Sequence, residues 1–322
     1  MPRPLPFLPP VLFRFLVFPV ALILAACSVS PVQPPATGKL PRVIGEHTAT
    51  KGYARVVQTE ADTFVMQTGS RLFRRPGRPD IDLVGACHIA ERPYYRQLQK
   101  RLDEASLVLF EGVSDRKEED PGFDRKDANA AYSRLARALG LVSQDAGIDY
   151  TRKTFRRCDL SMQEMMAILD EEIGRGGQTG RDAAAAKKEL TQLGRMLGGG
   201  SWIMNFAIEL VDLSPGLRER IRLMTVGAGL DEKADKQISA RLHRLILQDR
   251  NAHVAKELRR LTGSSQRRIA VFYGADHLHE LEGSLGKMGY RPAGGITWFD
   301  SISSHPYAVG ISEKEVKEAL GE

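Results

Sequence analysis

The chain has 322 residues, 42% of them hydrophobic and 27% charged, and a formal net charge of +6. That length buries a sizeable core as one large domain or two modest ones, and that balance excludes a disordered chain. Its 46 basic and 40 acidic residues form no basic arm or tail. Such a mild excess suits an anionic membrane surface, and the export signal described next makes nucleic acid the poorer partner.

Residues 1–26 are basic and Pro-rich, then apolar from position 15 onward. The apolar part is too short to span a bilayer and Pro19 interrupts it, so it reads as a signal peptide. It ends in Leu24-Ala25-Ala26-Cys27, which looks like a bacterial lipobox. Cleavage before Cys27 and lipid attachment to that residue are expected. Removing residues 1–26 takes two basic groups and no acidic one, leaving a net charge of +4. Ser28 after the cysteine leans, by analogy with lipoprotein sorting, towards the outer membrane. The expected location is the bacterial cell envelope, facing the periplasm, with the membrane held through Cys27. Residues 27–46, with Pro31, Pro34, Pro35, Gly38 and Pro41, read as a flexible tether. Residues 47–322 read as one domain.

Short β-like runs at 53–59, 63–67 and 71–74, separated by Ala-Asp and Gly-Ser, predict a small antiparallel meander at a sheet edge. The next run, Ile81-Asp82-Leu83-Val84-Gly85-Ala86-Cys87-His88, reads as a buried strand, a small-residue turn and a histidine at the start of a helix. Pro93 and the apolar spacing after it predict a helix over 92–105. The run Leu107-Val108-Leu109-Phe110 follows and ends in Glu111-Gly112. Strand, helix and strand in this order make a βαβ unit.

Residues 127–230 change character. Apolar residues recur at helical spacing in 128–139, 162–173 and 183–197, with Gly-rich joints at 174–180 and 198–200. A helical insertion is expected, lying outside the sheet as structural cover or as a lid. A long helix is predicted over 233–261, with Ile246, Leu247, Val254, Leu258 and Leu261 as its stripe. Arg250 falls on that stripe, so it either pairs with an acid or points into a site. The first pattern then returns as Ile269-Ala270-Val271-Phe272-Tyr273-Gly274-Ala275-Asp276-His277. A helix to 288, a strand over 294–302 and an amphipathic helix over 312–320 close the chain. The fold class is α/β, mixed, with strands at 81–86, 106–111 and 268–273 side by side.

Ligands of open α/β sheets bind outside the carboxyl ends of the strands. His88, His277 and Glu111 are therefore the expected centre, with Gly85 and Gly274 serving the turns. Two histidines and a glutamate on a divalent ion leave a position for water, and the ion would acidify that water and polarise a carbonyl. Mn, Co and Zn fit equally. No H-E-x-x-H occurs. Glu111 is either the third ligand or the base beside the water. Arg250 either stabilises an oxyanion or fixes Glu111 through a bidentate pair. Asp276 either orients His277 or caps the following helix, the cap being preferred. His279 is a supporting partner of His277 or a solvated loop residue, and His253, one turn from Arg250, flanks the same site. Asp82, inside a strand, needs a partner. Cys87 beside His88 invites a nucleophile reading, but alternation favours an inward-packed small hydrophobe. The compartment permits a disulfide between Cys87 and Cys158.

Gly85 and His88, Glu111, Arg250-Asn251, and Gly274 and His277 together resemble the TraB/PrgY/Tiki family, within the group that includes erythromycin-esterase-like and ChaN-like proteins. The resemblance covers roughly residues 80–300, and the stretches from Gly147 to Tyr150 and from Asp159 to Ser161 also look like a bacterial envelope branch of it. It implies an α/β core of two related halves and, from Tiki members, metal-dependent cleavage of an exported peptide or protein by the two histidines and the glutamate. Cys87 stands here for the usual small residue, and Asp249 where many relatives have glutamate. The competing expectation is a non-catalytic envelope protein that binds haem, a metal or a peptide, as ChaN-like and pheromone-sequestering relatives do.

Overall fold

The computed structural model describes residues 30–36, 38–46, 52–112, 133–198 (backbone alone from 193), 208–211, 213–228, 230 and 238–321. Cys27 lies outside them. The strand β1 (Arg42–Glu46) pairs antiparallel with β2 (Ala54–Glu60), and β2 pairs antiparallel with the twelve-residue β3 (Thr63–Arg74). Next come β4 (Asp80–Ala86), the two-residue β5 (Ile89–Ala90), the helix α1 (Arg92–Leu102) and β6 (Leu107–Phe110). From residue 133 a helical stretch leads to β7 (Val142–Ser143), α2 (Gln144–Gly147), β8 (Phe155–Arg157), α3 (Met162–Arg175), α4 (Gly177–Gly198) and α5 (Pro215–Ala228). The remainder is α6 (Ala240–Arg244), a π turn (Leu245–Asp249), α7 (Arg250–Leu261), β9 (Arg268–Gly274), α8 (Ala275–Lys287), β10 (Arg291–Pro292), β11 (Thr297–Ser304) and α9 (Glu313–Leu320).

The main sheet runs β1-β2-β3-β4-β9-β6-β8, with β10 and β11 also paired to β3. The four strands β4, β9, β6 and β8 are parallel and the others antiparallel, so the fold is α/β with a mixed sheet. As expected, the three apolar runs lie side by side, with β9 between β4 and β6. Their side chains alternate. Val84, Val108, Ala270 and Phe272 join one core cluster with Tyr94, Tyr95, Leu98 and Leu102 of α1. Leu83, Leu109, Val271 and Tyr273 join a second with Val254 and Leu258 of α7 and Leu278, Leu281 and Leu285 of α8. The sheet is thus covered by helices on both faces, as parallel strands require.

Several elements differ from the sequence expectation. The end of the expected tether is a strand, because Arg42–Glu46 finds the free edge of β2, and Val32 donates to the Tyr307 carbonyl at 2.9 Å. The Gly-Ser pair at 69–70 does not break β3. A Cβ on Gly69 would lie 2.6 Å from Ile296, and its N–H bonds the Tyr53 carbonyl at 2.8 Å, so this glycine serves a close approach inside a strand. β3 is consequently an internal strand. The insertion is not all helix: β8 joins the sheet beside β6, and β7 pairs with β5. Three residues of Phe-Arg-Arg are too few to show a period, and Phe155 is drawn in by Phe110 and Tyr150, at ring-centroid distances of 6.2 and 6.0 Å. Among the Gly-rich joints only Gly176 interrupts helices in the described residues, with φ of 70°, and Gly177, at 65°, opens α4. The long helix starts at Ala240, where Ser239 accepts from the Leu242 N–H; the expected start at 233 lies outside the described residues. No helix among the described residues is long and apolar enough to cross a membrane.

Candidate functional site

The parallel strands all end on one side, and the site forms there on the face covered by α7 and α8. Alternation decides that face for Glu111. Leu107 and Leu109 point towards α7 and α8, so Glu111, the next residue of that parity, points the same way. The π turn before Arg250 inserts one residue into the helix, a feature common at functional sites. With it, Leu242 and Leu245 face the outlying cluster formed with α3 and α4. Arg250, Asn251, Val254 and Leu258 then face the sheet.

Glu111 accepts from Gly274 N at 2.7 Å through Oε2 and from Arg250 Nη2 at 2.8 Å through Oε1. Gly274 is the N-cap of α8 and has no capping side chain of its own. Glu111 therefore reaches across from the neighbouring strand and caps that helix, where the helix dipole favours a negative charge. A Cβ at 274 would sit 3.3 Å from Glu111 Oε2, which explains the glycine. Burial alone would raise the Glu111 pKa, but Arg250, then His277, His88 and the Gly274 amide outweigh it and hold it at about 2.

Arg250 is only 4% exposed. Its bidentate partner is Asp159, which accepts from Nε at 2.9 Å and Nη2 at 2.6 Å; Glu111 takes a single bond. The expected bidentate grip on Glu111 is thus corrected. Asp159 leaves β8 just after Cys158, and it also accepts from Gly112 N at 2.9 Å and Leu160 N at 2.8 Å. Burial opposes the charge on Arg250, yet Asp159 and Glu111 hold its pKa above the ordinary value.

His277 sits in the first turn of α8, 4% exposed, with its ring edge-on to Tyr273 at 5.5 Å. Its Nδ1 lies 2.7 Å from Asn251 Oδ1, and its Nε2 lies 3.7 Å from Glu111 Oε1. Asn251 Nδ2 donates to Glu280 at 2.8 Å, so Asn251 offers its oxygen to the ring and the ring proton belongs on Nδ1. The Nε2 lone pair then faces the carboxylate. Burial lowers the His277 pKa, partly offset by Glu111, and the neutral ring is the ligating form. A neutral imidazole nitrogen beside an ionised carboxylate fits a divalent cation by donor chemistry. No three His, Cys, Asp or Glu side chains among the described residues stand as a ready ligand group, however.

His88 is exposed, in the link between β4 and β5, and its carbonyl accepts from Gln144 N at 2.8 Å. It does not begin a helix as the first motif suggested, because Ile89 and Ala90 pair with β7 before α1 starts. Its charged form would nevertheless act on Glu111. Gly85 lies inside β4 rather than in a turn, where a Cβ would meet the Gly69 carbonyl oxygen at 2.9 Å. Asp276 is not the cap of α8: Gly274 holds that position and Asp276 follows in the first turn. His279 is half-buried on α8 rather than in a loop. His253 is half-buried on α7 and its field acts on Glu164, at the start of α3. Asp82 is buried away from this centre, taking Arg101 Nε at 2.7 Å and Arg268 Nη2 at 2.9 Å. Those partners make it a structural acid.

Both described cysteines are free. Cys87 packs in the α1-side core and Cys158 in the α7/α8-side core, so the sheet separates them. Burial pushes the Cys87 thiol up to about 11, which disfavours the thiolate a nucleophile needs. The residues that sequence reasoning missed are Asp159 and Glu280. Asp159 lay within a stretch marked by the family resemblance, whereas Glu280 carried no signal beyond standing three residues after His277. No protein-family model, curated protein or solved structure matches this chain.

Proposed function

We propose that this chain is a lipid-anchored, metal-dependent hydrolase of the bacterial cell envelope that cleaves an exported peptide or protein. The observation that carries this reading is the pair of acceptors, Nε2 of the buried His277 and Oε1 of the half-buried Glu111, facing each other across 3.7 Å. Two lone pairs so placed repel unless a cation or a donor joins them. The TraB/PrgY/Tiki resemblance of the same residues supports it. His277 and Glu111 would hold the ion, with His88 as the third donor. Once bound, a divalent ion supplies Lewis acidity and lowers the pKa of a coordinated water. Glu111 serves as a ligand and not as the base, because a carboxyl held at about 2 accepts a proton poorly. Arg250 keeps Glu111 ionised and oriented.

The purified protein and its His88→Ala, His277→Ala and Glu111→Gln variants test this by metal analysis paired with peptide hydrolysis. His277→Ala and Glu111→Gln should lose both metal and activity. Full hydrolysis by the His88→Ala, His277→Ala double variant would place the chemistry elsewhere. The second reading, a non-catalytic metal, haem or peptide binder, is favoured by one fact: both Glu111 oxygens are already hydrogen-bonded. Metal bound at full stoichiometry without hydrolysis of any envelope peptide would support it, and a Soret band on haem loading would specify it.

A further inference from the structure

Glu280 and His277 stand three apart on α8, and so share a side of that helix. Asn251 of α7 lies between them, with Oδ1 2.7 Å from His277 Nδ1 and Nδ2 2.8 Å from Glu280 Oε2. An amide offers an acceptor at one end and donors at the other. A carboxylate only accepts, so Glu280 can hold only the NH2 end, and the oxygen is left for the ring. An oxygen that only accepts places the ring proton on Nδ1 and the lone pair on Nε2.

That arrangement is not the one the buried groups would choose by themselves. If the Asn251 amide turned over, its NH2 would donate to Nδ1 and the ring proton would move to Nε2. The ring could then donate to Glu111 Oε1, now 3.7 Å away. The acceptor-acceptor contact would become a hydrogen bond, and the nitrogen needed by an ion would carry a proton. Within this group, the Asn251–Glu280 bond is the contact that opposes the flip.

We propose that Glu280 is a positioning residue that, by holding the Asn251 amide, fixes His277 as the tautomer whose Nε2 lone pair is free to ligate. The inference rests on the reading that His277 binds a divalent ion, but its first measurement does not need the ion. Glu280 is exposed and, among the described residues, touches the site through Asn251, so its variants should fold.

The experiment uses the full chain with 15N-labelled histidine in chelator near pH 8, reading which His277 nitrogen carries the proton from its 15N shifts and two-bond couplings. His277→Gln assigns the signal. The wild type should show Nδ1–H. Glu280→Ala should show Nε2–H or a mixture, and Glu280→Gln should restore Nδ1–H, because its amide oxygen still accepts from Asn251. Zn2+ or Mn2+ titration should then give about 10–100-fold weaker binding for Glu280→Ala, the usual consequence of losing an outer-shell partner. Nε2–H in the wild type, or Nδ1–H in Glu280→Ala, overturns the proposal. A tautomer that follows Glu280 in a wild type that binds neither ion supports the positioning role and counts against the hydrolase reading.

Discussion

Replacing Glu111 by glutamine should flatten the acid limb of this protein's unfolding curve. The carboxyl is held at about 2 against an ordinary 4.5: burial pushes it up, and Arg250, His277, His88 and the Gly274 amide together pull it further down. Its pKa is depressed by folding, so its stabilising contribution is fully present above about pH 4.5. That contribution is lost as pH falls through about 2. The gap corresponds to roughly 3 kcal/mol at neutral pH, of which about 2 kcal/mol is gone by pH 3. Urea unfolding of the wild type and Glu111→Gln at about pH 7, 5, 4 and 3, in chelator, isolates this term. Acids that share no partner with Glu111 titrate alike in both proteins and cancel in the difference. The stability difference between them should shrink by about 2 kcal/mol from pH 7 to pH 3. Curves that stay parallel within about 0.5 kcal/mol would refute the assignment of Arg250 and the α8 N-terminus as the partners that hold this charge.

Asp159→Ala should destabilise by about 3–5 kcal/mol in the same assay, because it strips the bidentate partner from an arginine that is 4% exposed; a change below about 1 kcal/mol would mean that water reaches Arg250. Cys87 and Cys158, with thiols pushed up to about 11 and 12, should resist alkylation near pH 8 until urea opens the fold. Rapid labelling of the native protein would contradict the burial of those thiols. Cys27→Ser should abolish metabolic labelling with a fatty acid and release the protein from membranes, and unchanged labelling would remove the lipobox reading.

The parts legible in the sequence were those with a strong period or a fixed spacing. Largely apolar seven-residue strands such as β4 and β9 announce buried parallel strands, and the Gly274-to-His277 spacing correctly put a histidine in the first turn of a helix. The two Gly-x-x-His units nevertheless diverge in space. Gly274 ends β9 and a helix follows at once, whereas after Gly85 two residues divert to pair with β7, and His88 is left exposed. A partner more than fifty residues downstream cannot be read from the motif itself. The same limit hid β8, whose three residues have no period, and with it Asp159. The π turn was invisible for a different reason. The stripe through Ile246, Leu247 and Arg250 assumes an unbroken α-helix, and one inserted residue moves the buried positions to Leu242 and Leu245 before it.

Two buried arginines on one helical segment show why one of these clusters is structural and the other can be a site. Arg241 is gripped by Glu172 at 2.6 and 3.0 Å and by Asp249 at 3.0 Å, and Arg250 by Asp159 and Glu111. Each arginine faces two carboxylates, so in side-chain charges each cluster has one negative in excess. Around Arg241 the acids keep 18% and 30% of their side-chain surface, and water screens the excess. Around Arg250 they keep 0% and 13%. There the excess charge is buried beside an imidazole whose pKa is lowered, so that ring is a poor source of the compensating proton. Burying an unpaired charge is expensive unless a counter-ion completes it. The side chain nearest that excess is a neutral imidazole whose only unengaged nitrogen presents a lone pair to it. Under the proposed function, a cation held between that nitrogen and Glu111 would offset the charge and satisfy the nitrogen together.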